Sequence, residues 1–260
     1  MILKVILLAC VGFVIGVLSG LLGIGGGTVI VPTLRLGFGF EPVMATATSL
    51  FTILFTSVSG TATHLRNKTC VPSLGVALGL GGACTSALGV WLGNISPGWA
   101  VMLAAALVVA YGAISMLRKA FAKVDADKAE QGGGGFSPNA KTLAIGVCIG
   151  AVAGVASGYV GVGGGFIMVP MMMGILGMPM KKTSGTSLIA IMILSIPGII
   201  ENGFLGNIDY LMGICLVVGS IPGAIVGARL IKRVPERQLR ILFAAFLIIA
   251  SVLLVVRELV

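Results

Sequence analysis

The sequence has very few charged residues. Of its 260 residues only 10% are Asp, Glu, Lys or Arg, whereas a soluble globular domain carries about 25%. Hydrophobic residues make up 57% of the chain and the mean hydropathy is +1.14. So little charge cannot cover a surface that faces water, which excludes a soluble enzyme and indicates a membrane protein.

Residues for metal binding and acid–base chemistry are also scarce. The chain has one histidine, and its five cysteines form no Cys-x-x-Cys pair. No apolar run has a carboxylate near its centre, which argues against a hydrolase with paired carboxylates or a carboxylate proton relay. We therefore expect no metal, no cofactor, no catalytic residue and no disulfide framework. The net charge of +9 comes from basic residues between apolar runs, which indicates membrane orientation rather than nucleic-acid binding.

Long apolar runs account for most of the chain. A helix that spans a bilayer needs about 20 apolar residues. Eight runs are long enough, at about 4–22, 44–63, 73–93, 98–117, 142–160, 184–201, 209–231 and 239–257. Two shorter runs, at about 28–40 and 166–178, follow glycine clusters. The fold class is therefore an all-α polytopic membrane protein, in which the two short helices either cross the bilayer or are re-entrant.

The two halves of the sequence repeat each other. A shift of 138 residues aligns them without a gap, so that the segment from Gly16 to Gly27 matches the segment from Gly154 to Gly165. Val31-Pro32 then matches Val169-Pro170. We expect a first transmembrane repeat at 1–117, a polar linker at 118–140 and a second transmembrane repeat at 141–260.

Loop charges predict that the repeats are inverted. Loop 64–70 carries basic residues, whereas its mate at 202–209 has no Lys or Arg. The basic segment at 232–240 likewise has an uncharged mate at 94–97. Since basic loops stay in the cytoplasm, equivalent loops should lie on opposite sides of the membrane. The linker, 64–70 and 232–240 are then cytoplasmic.

The glycine clusters are candidate anion sites. Each has the form Gly-x-Gly-Gly-Gly and precedes a short helix, whose free amides favour negative charge. An interrupted backbone at membrane depth is tolerated where it is packed in protein or lines a cavity. The alternative is that the glycines only permit close helix packing. The predicted binding residues here are Gly25, Gly26, Gly27 and Thr28, with Gly163, Gly164, Gly165 and Phe166 in the second half.

Repeated hydroxyl residues form a second candidate group. Thr48-Ser49 and its mate Thr186-Ser187 each lie near the start of a long apolar run. They either cap helices or donate hydrogen bonds to a substrate oxyanion. A few polar residues lie within or beside the spans and are candidates for a gating or charge-carrying role. They are Arg35, His64 and its mate Asn202.

The repeated motif resembles the TauE/SafE sulfite exporter family, also called the 4-toluene sulfonate uptake permeases. The resemblance is carried by the Gly-(Ile/Val)-Gly-Gly-Gly clusters, the Val-Pro pairs and the Thr-Ser pairs, and it covers essentially the whole chain. It implies a multi-pass transporter in a bacterial or archaeal plasma membrane that moves sulfite, sulfonates or related small anions. The direction of transport does not follow from it.

From these features we expect a secondary permease that is not an enzyme. Its partners would be a small anionic substrate such as sulfite, a sulfonate or sulfoacetate, and the lipid bilayer, with coupling to a proton or sodium gradient. Alternating access would come from one half rocking against the other. Two alternatives are a membrane-embedded enzyme and a channel-like pathway for small anions.

Overall fold

The described part of the protein is helical throughout. The computed structural model describes residues 2–101, 103, 104, 107, 110, 112–114 and 139–259. Within these residues the first half contains α1 (Ile2–Leu22), α2 (Gly27–Pro32), a π-helical segment (Thr33–Gly37), α3 (Pro42–Asn67) and α4 (Pro72–Ile95). The second half contains α5 (Ala140–Val160), α6 (Gly165–Ile175), α7 (Met180–Phe204), α8 (Tyr210–Leu230) and α9 (Glu236–Leu259).

Among the described residues, five helices have the length and composition of membrane spans. They are α3, α4, α5, α7 and α8, and Ile6–Leu22 and Gly165–Ile175 are shorter apolar helices. These five spans coincide with five of the eight predicted runs. The predicted linker at 118–140 and much of the predicted span at 98–117 lie outside the described residues, although residues 98–101 are helical.

Proline and aspartate define several helix starts. Pro42 and Pro72 occupy the first position of α3 and α4, where the missing amide hydrogen costs no helical hydrogen bond. The carboxylate of Asp209 caps α8 by accepting a hydrogen bond from the amide of Met212 at 3.0 Å. With these starts, α1 to α4 each begin 138 residues before α5 to α8. The sequence repeat is therefore also a repeat of helix positions.

Helices of one half pack closely against helices of the other. α1 lies along α8, and α4 lies along α5. The contacts advance in the same direction on both helices, so each pair is parallel. Added Cβ atoms would clash with the partner backbone at glycines along both seams, which is why the helices approach so closely. In the first pair, Gly12, Gly16 and Gly20 face Leu216, Ser220 and Ala224; in the second, Gly150, Gly154 and Gly158 face Leu78, Gly82 and Ser86.

The centre of the molecule is the crossing of α3 and α7. Gly60 of α3 lies against Leu188 of α7, and Gly198 of α7 lies against Leu50 of α3. The contacts therefore run in opposite directions along the two helices, which cross antiparallel. Ile53 and its mate Ile191 are fully buried and lie against the glycine clusters. This crossing places both clusters in the protein interior.

Candidate functional site

Each glycine cluster is a sharp break between a long and a short helix. In the first break Gly23, Gly25 and Gly26 have φ values of 72°, 84° and 93°. At the equivalent positions of the second break, φ is 69°, 88° and 71°. These are left-handed conformations that residues with a Cβ rarely adopt, so the repeated glycines are required by the backbone path itself.

The two breaks lie back to back in the interior. A Cβ on Gly27 would come within 2.6 Å of the Cα of Val162, and one on Gly165 within 2.9 Å of the Cα of Ile24. The residues of both breaks are buried. Glycine at these positions therefore allows backbone from one half to touch backbone from the other, as the packing interpretation predicts.

Most amides in the breaks have no protein partner. The hydrogen bonds of the first break use the amides of Gly23, Val29 and Ile30, and those of the second use the equivalent amides and that of Gly165. Within the described residues no acceptor is found for the amides of residues 24–28, nor for those of 162–164 and 166. A buried amide without a partner costs about 1–3 kcal/mol, and such groups are rare. These amides are therefore available as donors to a ligand.

The repeated serines connect the halves. Ser49 donates a hydrogen bond to the carbonyl of Gly161 at 2.9 Å, and Ser187 donates to the carbonyl of Gly23 at 2.7 Å. Each serine thus holds the start of the opposite half's break. All of these groups are buried, so the bonds are protected from water.

The repeated threonines make a second reciprocal pair of bonds. The Thr48 hydroxyl accepts from the amide of Asp209, and the Thr186 hydroxyl accepts from the amide of Val71, both at 3.0 Å. The expectation that these residues cap helices is wrong. α3 and α7 begin several residues earlier, after Glu41 and Pro179, because an extended residue before or at a proline already sets the helix start.

Three buried hydroxyls beside the breaks lack partners. Ser19 and Ser157, which are mates, lie in the last turns before the two breaks, and Thr28 begins the first short helix; none of these hydroxyls has a hydrogen-bond partner in the described structure. Sequence reasoning proposed Thr28 but missed the two serines. Their recurrence at equivalent positions just before each glycine cluster was the available signal.

His64 and its mate Asn202 occupy equivalent positions with different effects. The Nε2 atom of His64 lies 2.8 Å from the Gly20 carbonyl, and Nδ1 lies 2.7 Å from the Thr69 hydroxyl. Since a carbonyl only accepts, Nε2 carries the proton. Asn202 is bonded to Gly198 of its own helix and to Asn207. His64 therefore joins the end of α1 to the end of α3, whereas Asn202 makes no such connection to another described helix.

A small pocket lies at the Asn202 end. It has about 10 Å³ of free space, enough for about one water molecule. Thr46, Tyr159 and Asn202 are among its lining residues, and Thr46 also contacts Gly161 of the second break. At the other end, the corresponding place beside Gly20 contains the His64 ring.

Two other polar residues lie near the ends of the helices. Arg35 lies in the π-helical segment and donates to the Phe40 carbonyl at 3.4 Å, so it is beyond the C-terminal end of the short helix rather than at its break. Cys70 lies in the 68–71 connection, half buried beside Gly185. Burial raises the pKa of the Cys70 thiol, which keeps it in the unreactive protonated form at neutral pH.

The model of one protein family, the sulfite exporter TauE/SafE, matches residues 8–254. The chain belongs to this family. The match includes both breaks, both Thr-Ser pairs and the crossing of α3 and α7. No solved structure gives a significant match to this TauE/SafE chain.

Curated relatives of this TauE/SafE chain carry transporter names. The probable membrane transporter proteins YunE and YjnA of Bacillus subtilis (strain 168) are each 27% identical to it, and each alignment covers 94% of this chain and 94% and 97% of the relative. The probable membrane transporter protein MJ0441 of Methanocaldococcus jannaschii is 23% identical, over 93% of this chain and 91% of its own length. Family and relatives together indicate that the chain is a multi-pass membrane transporter.

Proposed function

We propose that this protein is a secondary transporter for a small sulfur-containing oxyanion such as sulfite or a sulfonate. The observation that carries the proposal is the pair of buried glycine breaks, in which most amides have no protein acceptor among the described residues. A negatively charged oxygen is the ligand that such amides favour. The family name and the transporter names of the relatives agree with this substrate class and role.

We infer further that the two halves are inverted repeats. The antiparallel crossing of α3 and α7 supports this, because equivalent helices of parallel repeats would point the same way. The reciprocal bonds of Ser49 and Ser187 support it as well, since each half treats the other's break in the same way. The basic segments at 64–70 and 232–240 would face the cytoplasm of a bacterial or archaeal plasma membrane.

Alternating access would come from relative movement of the halves around the breaks. The two ends of the molecule differ, with a pocket beside Asn202 and a histidine ring at the equivalent place beside Gly20. Such a difference is expected of a state that is open to one side. The hydrogen bonds that connect the halves would break and re-form during this movement. They are made by Thr48, Ser49, Thr186 and Ser187, whose hydroxyls would reach the substrate only while these hydrogen bonds are broken. A proton or sodium gradient would supply the driving force.

The decisive experiment is counterflow in proteoliposomes. Radiolabelled sulfite is added outside vesicles that are either empty or preloaded with unlabelled sulfite. We expect saturable uptake that is faster and larger in the preloaded vesicles, because a carrier returns more quickly when it is loaded. A channel-like pathway would give no such acceleration, and conversion of sulfite by protein in detergent would indicate an enzyme instead.

A matched pair of variants connects this activity to the breaks. Gly163 and Gly177 both have a positive φ, but only Gly163 lies in a break, and a Cβ on Gly177 would meet nothing within 4 Å. Both Gly163→Ala and Gly177→Ala place a side chain on a left-handed backbone at a cost of about 1–2 kcal/mol. We expect Gly163→Ala to lose counterflow while Gly177→Ala keeps it. Equal activity of the two folded variants would remove the breaks from the mechanism.

A further inference from the structure

Ser19 and Ser157 differ from most other buried hydroxyl residues in the helices. Their exposed fractions are 1% and 0%, and neither Oγ atom has a partner in the part of the protein that the structure describes. Many buried helical hydroxyls return to their own helix, as Thr52 and Ser184 do to the carbonyls four residues back at 3.0 Å. Ser57, Thr61 and Ser86 also lack a partner in the described structure, but they do not precede a glycine break. The hydroxyls of Ser19 and Ser157 do not make this bond, although it would satisfy them.

Both serines pack against the residue that begins the following helix. The Cβ atom of Ser19 lies 3.7 Å from the position that a Cβ would take on Gly26, and that of Ser157 lies 3.5 Å from the equivalent position on Gly164. These glycines are the N-caps of the two short helices. Each serine side chain therefore packs against the N-cap residue of the short helix that follows its own break.

The two clusters of donors are not equal. The first cluster also contains the hydroxyl of Thr28, which is 0% exposed and has no partner in the described structure. This cluster therefore has two side-chain donors beside its main-chain amides. The equivalent residue of the second is Phe166, which has no polar group. The second cluster thus consists of Ser157 and main-chain amides alone.

The clusters are also separate from each other. Ser19, Gly26 and Thr28 belong to the first half, and Ser157 and Gly164 belong to the second. Between them the breaks touch directly at Gly27 and Val162, and the side chains of Ile53 and Ile191 cover the adjacent glycines. Since the breaks are packed against each other in this way, one small anion is not expected to contact both serines.

We propose that the protein has two oxyanion subsites, one in each half. The first is formed by the hydroxyls of Ser19 and Thr28 with the amides of the first break, and the second by the hydroxyl of Ser157 with the amides of the second break. Each accepts one sulfite or sulfonate group, whose oxygens receive the hydroxyl and amide hydrogens. The first subsite binds more tightly because it has one more side-chain donor. This inference rests on the proposed transport function and specifies its binding residues and stoichiometry.

Equilibrium binding of radiolabelled sulfite to the purified full chain in detergent tests the proposal. We expect two bound sulfite ions per chain in two affinity classes. A hydrogen bond to a charged group contributes about 1.5–3 kcal/mol, so its loss weakens binding about tenfold or more. Ser157→Ala should weaken the low-affinity class only, and Ser19→Ala or Thr28→Val the high-affinity class only.

Two controls separate binding from folding. Ser195 is equally buried, but its hydroxyl is bonded to the Met192 carbonyl of its own helix, so Ser195→Ala should keep both classes. Ser157→Thr retains a hydroxyl and should recover binding that Ser157→Ala loses. Every variant is first shown to elute as a single folded species by size-exclusion chromatography.

The outcomes distinguish this inference from the transport proposal. One sulfite per chain, or both serine variants weakening the same class, would overturn the two subsites and leave transport intact. Equal binding of sulfite by wild-type protein and by both alanine variants would also overturn the two subsites and leave the transport proposal intact. No binding of sulfite or of methanesulfonate by wild-type protein would overturn both proposals.

Discussion

At the residue scale, Lys68 and its mate Gly206 show how the same backbone is built with different side chains. Both end a helix in the left-handed conformation, with φ values of 57° and 71°. Among the described residues Lys68 alone has a positive φ without being glycine. A Cβ on Gly206 would meet nothing within 4 Å. Glycine is therefore favoured at this position by the backbone conformation and not by lack of space. The first half therefore has backbone strain at Lys68 that the glycine at the equivalent position of the second half does not have.

We predict that Lys68→Gly stabilises the protein. Removing the left-handed strain gains about 1–2 kcal/mol, and the greater freedom of glycine in the unfolded chain offsets about 0.5–1 kcal/mol of this. The net gain of about 0.5–1 kcal/mol should raise the melting temperature in detergent. Lys68→Ala, which removes the charge but keeps a Cβ, is the control and should not raise it. A gain in both variants would assign the effect to the charge instead.

At the element scale, the ends of α1 and α5 are held in different ways. His64 fixes the end of α1 through Gly20 and fixes the 68–71 connection through Thr69. The end of α5 lies beside a pocket, with no histidine at the equivalent place. The His64 end should therefore resist opening more than the Asn202 end does.

Cys70 can report on that difference. His64→Asn introduces the residue of the other half, whose shorter side chain cannot bond both Gly20 and Thr69. Loss of one hydrogen bond of about 1 kcal/mol raises the population of an opened 68–71 connection about fivefold. We expect Cys70 to react with a maleimide about fivefold faster in a chain whose exposed Cys10, Cys84 and Cys148 are replaced by serine.

The pH dependence of labelling gives a second readout. Maleimides react with the thiolate, and burial raises the pKa of Cys70. Labelling of the parent chain should therefore rise only at a pH above the usual thiol range, and in His64→Asn the rise should move to lower pH as the thiol becomes hydrated. Thr63→Val is the control, because the Thr63 hydroxyl bonds only within its own helix, to the Ser59 carbonyl. If His64→Asn labels like the control, His64 does not hold the connection closed.

Helix existence was readable from the sequence, but helix partners were not. Apolar runs and proline or glycine at their ends predicted α3, α4, α5, α7 and α8, because the bilayer sets the length that a span needs. The packing of α1 on α8 depends on glycines that appear throughout the chain, so no single one of them indicated the partner. The same holds for Ser49, whose partner carbonyl on Gly161 is brought close only by the tertiary fold.

At the scale of the whole molecule, the proposed inverted arrangement makes a direct prediction about the two membrane faces. Arg66 and its mate Phe204 are both exposed near the ends of α3 and α7. In inverted halves they lie on opposite sides of the membrane, whereas in parallel halves they lie on the same side. In a chain without native cysteines, Phe204→Cys should react with a membrane-impermeant maleimide in intact cells. Arg66→Cys should react only after the cells are permeabilised.

Labelling in permeabilised cells is the control for a cysteine that reacts slowly for reasons other than its side of the membrane. Both variants should react fully in permeabilised cells, which shows that each cysteine is accessible from some aqueous phase. Labelling of both in intact cells, or of neither, would contradict opposite orientations of the halves. The loop charges and the antiparallel crossing of α3 and α7 support this expectation independently, because positive charge acts on membrane insertion independently of packing.

The parallel pairs α1–α8 and α4–α5 also bear on biosynthesis. During translation α1 leaves the ribosome well before α8, which carries the glycine face that α1 covers. Until then its small-residue surface faces lipid or an insertion chaperone. A single half made as a separate polypeptide would lack partners for both of its outer helices. Two such polypeptides inserted in opposite orientations would supply these partners to each other, so under the proposed inversion separately made halves are expected to assemble as oppositely inserted pairs.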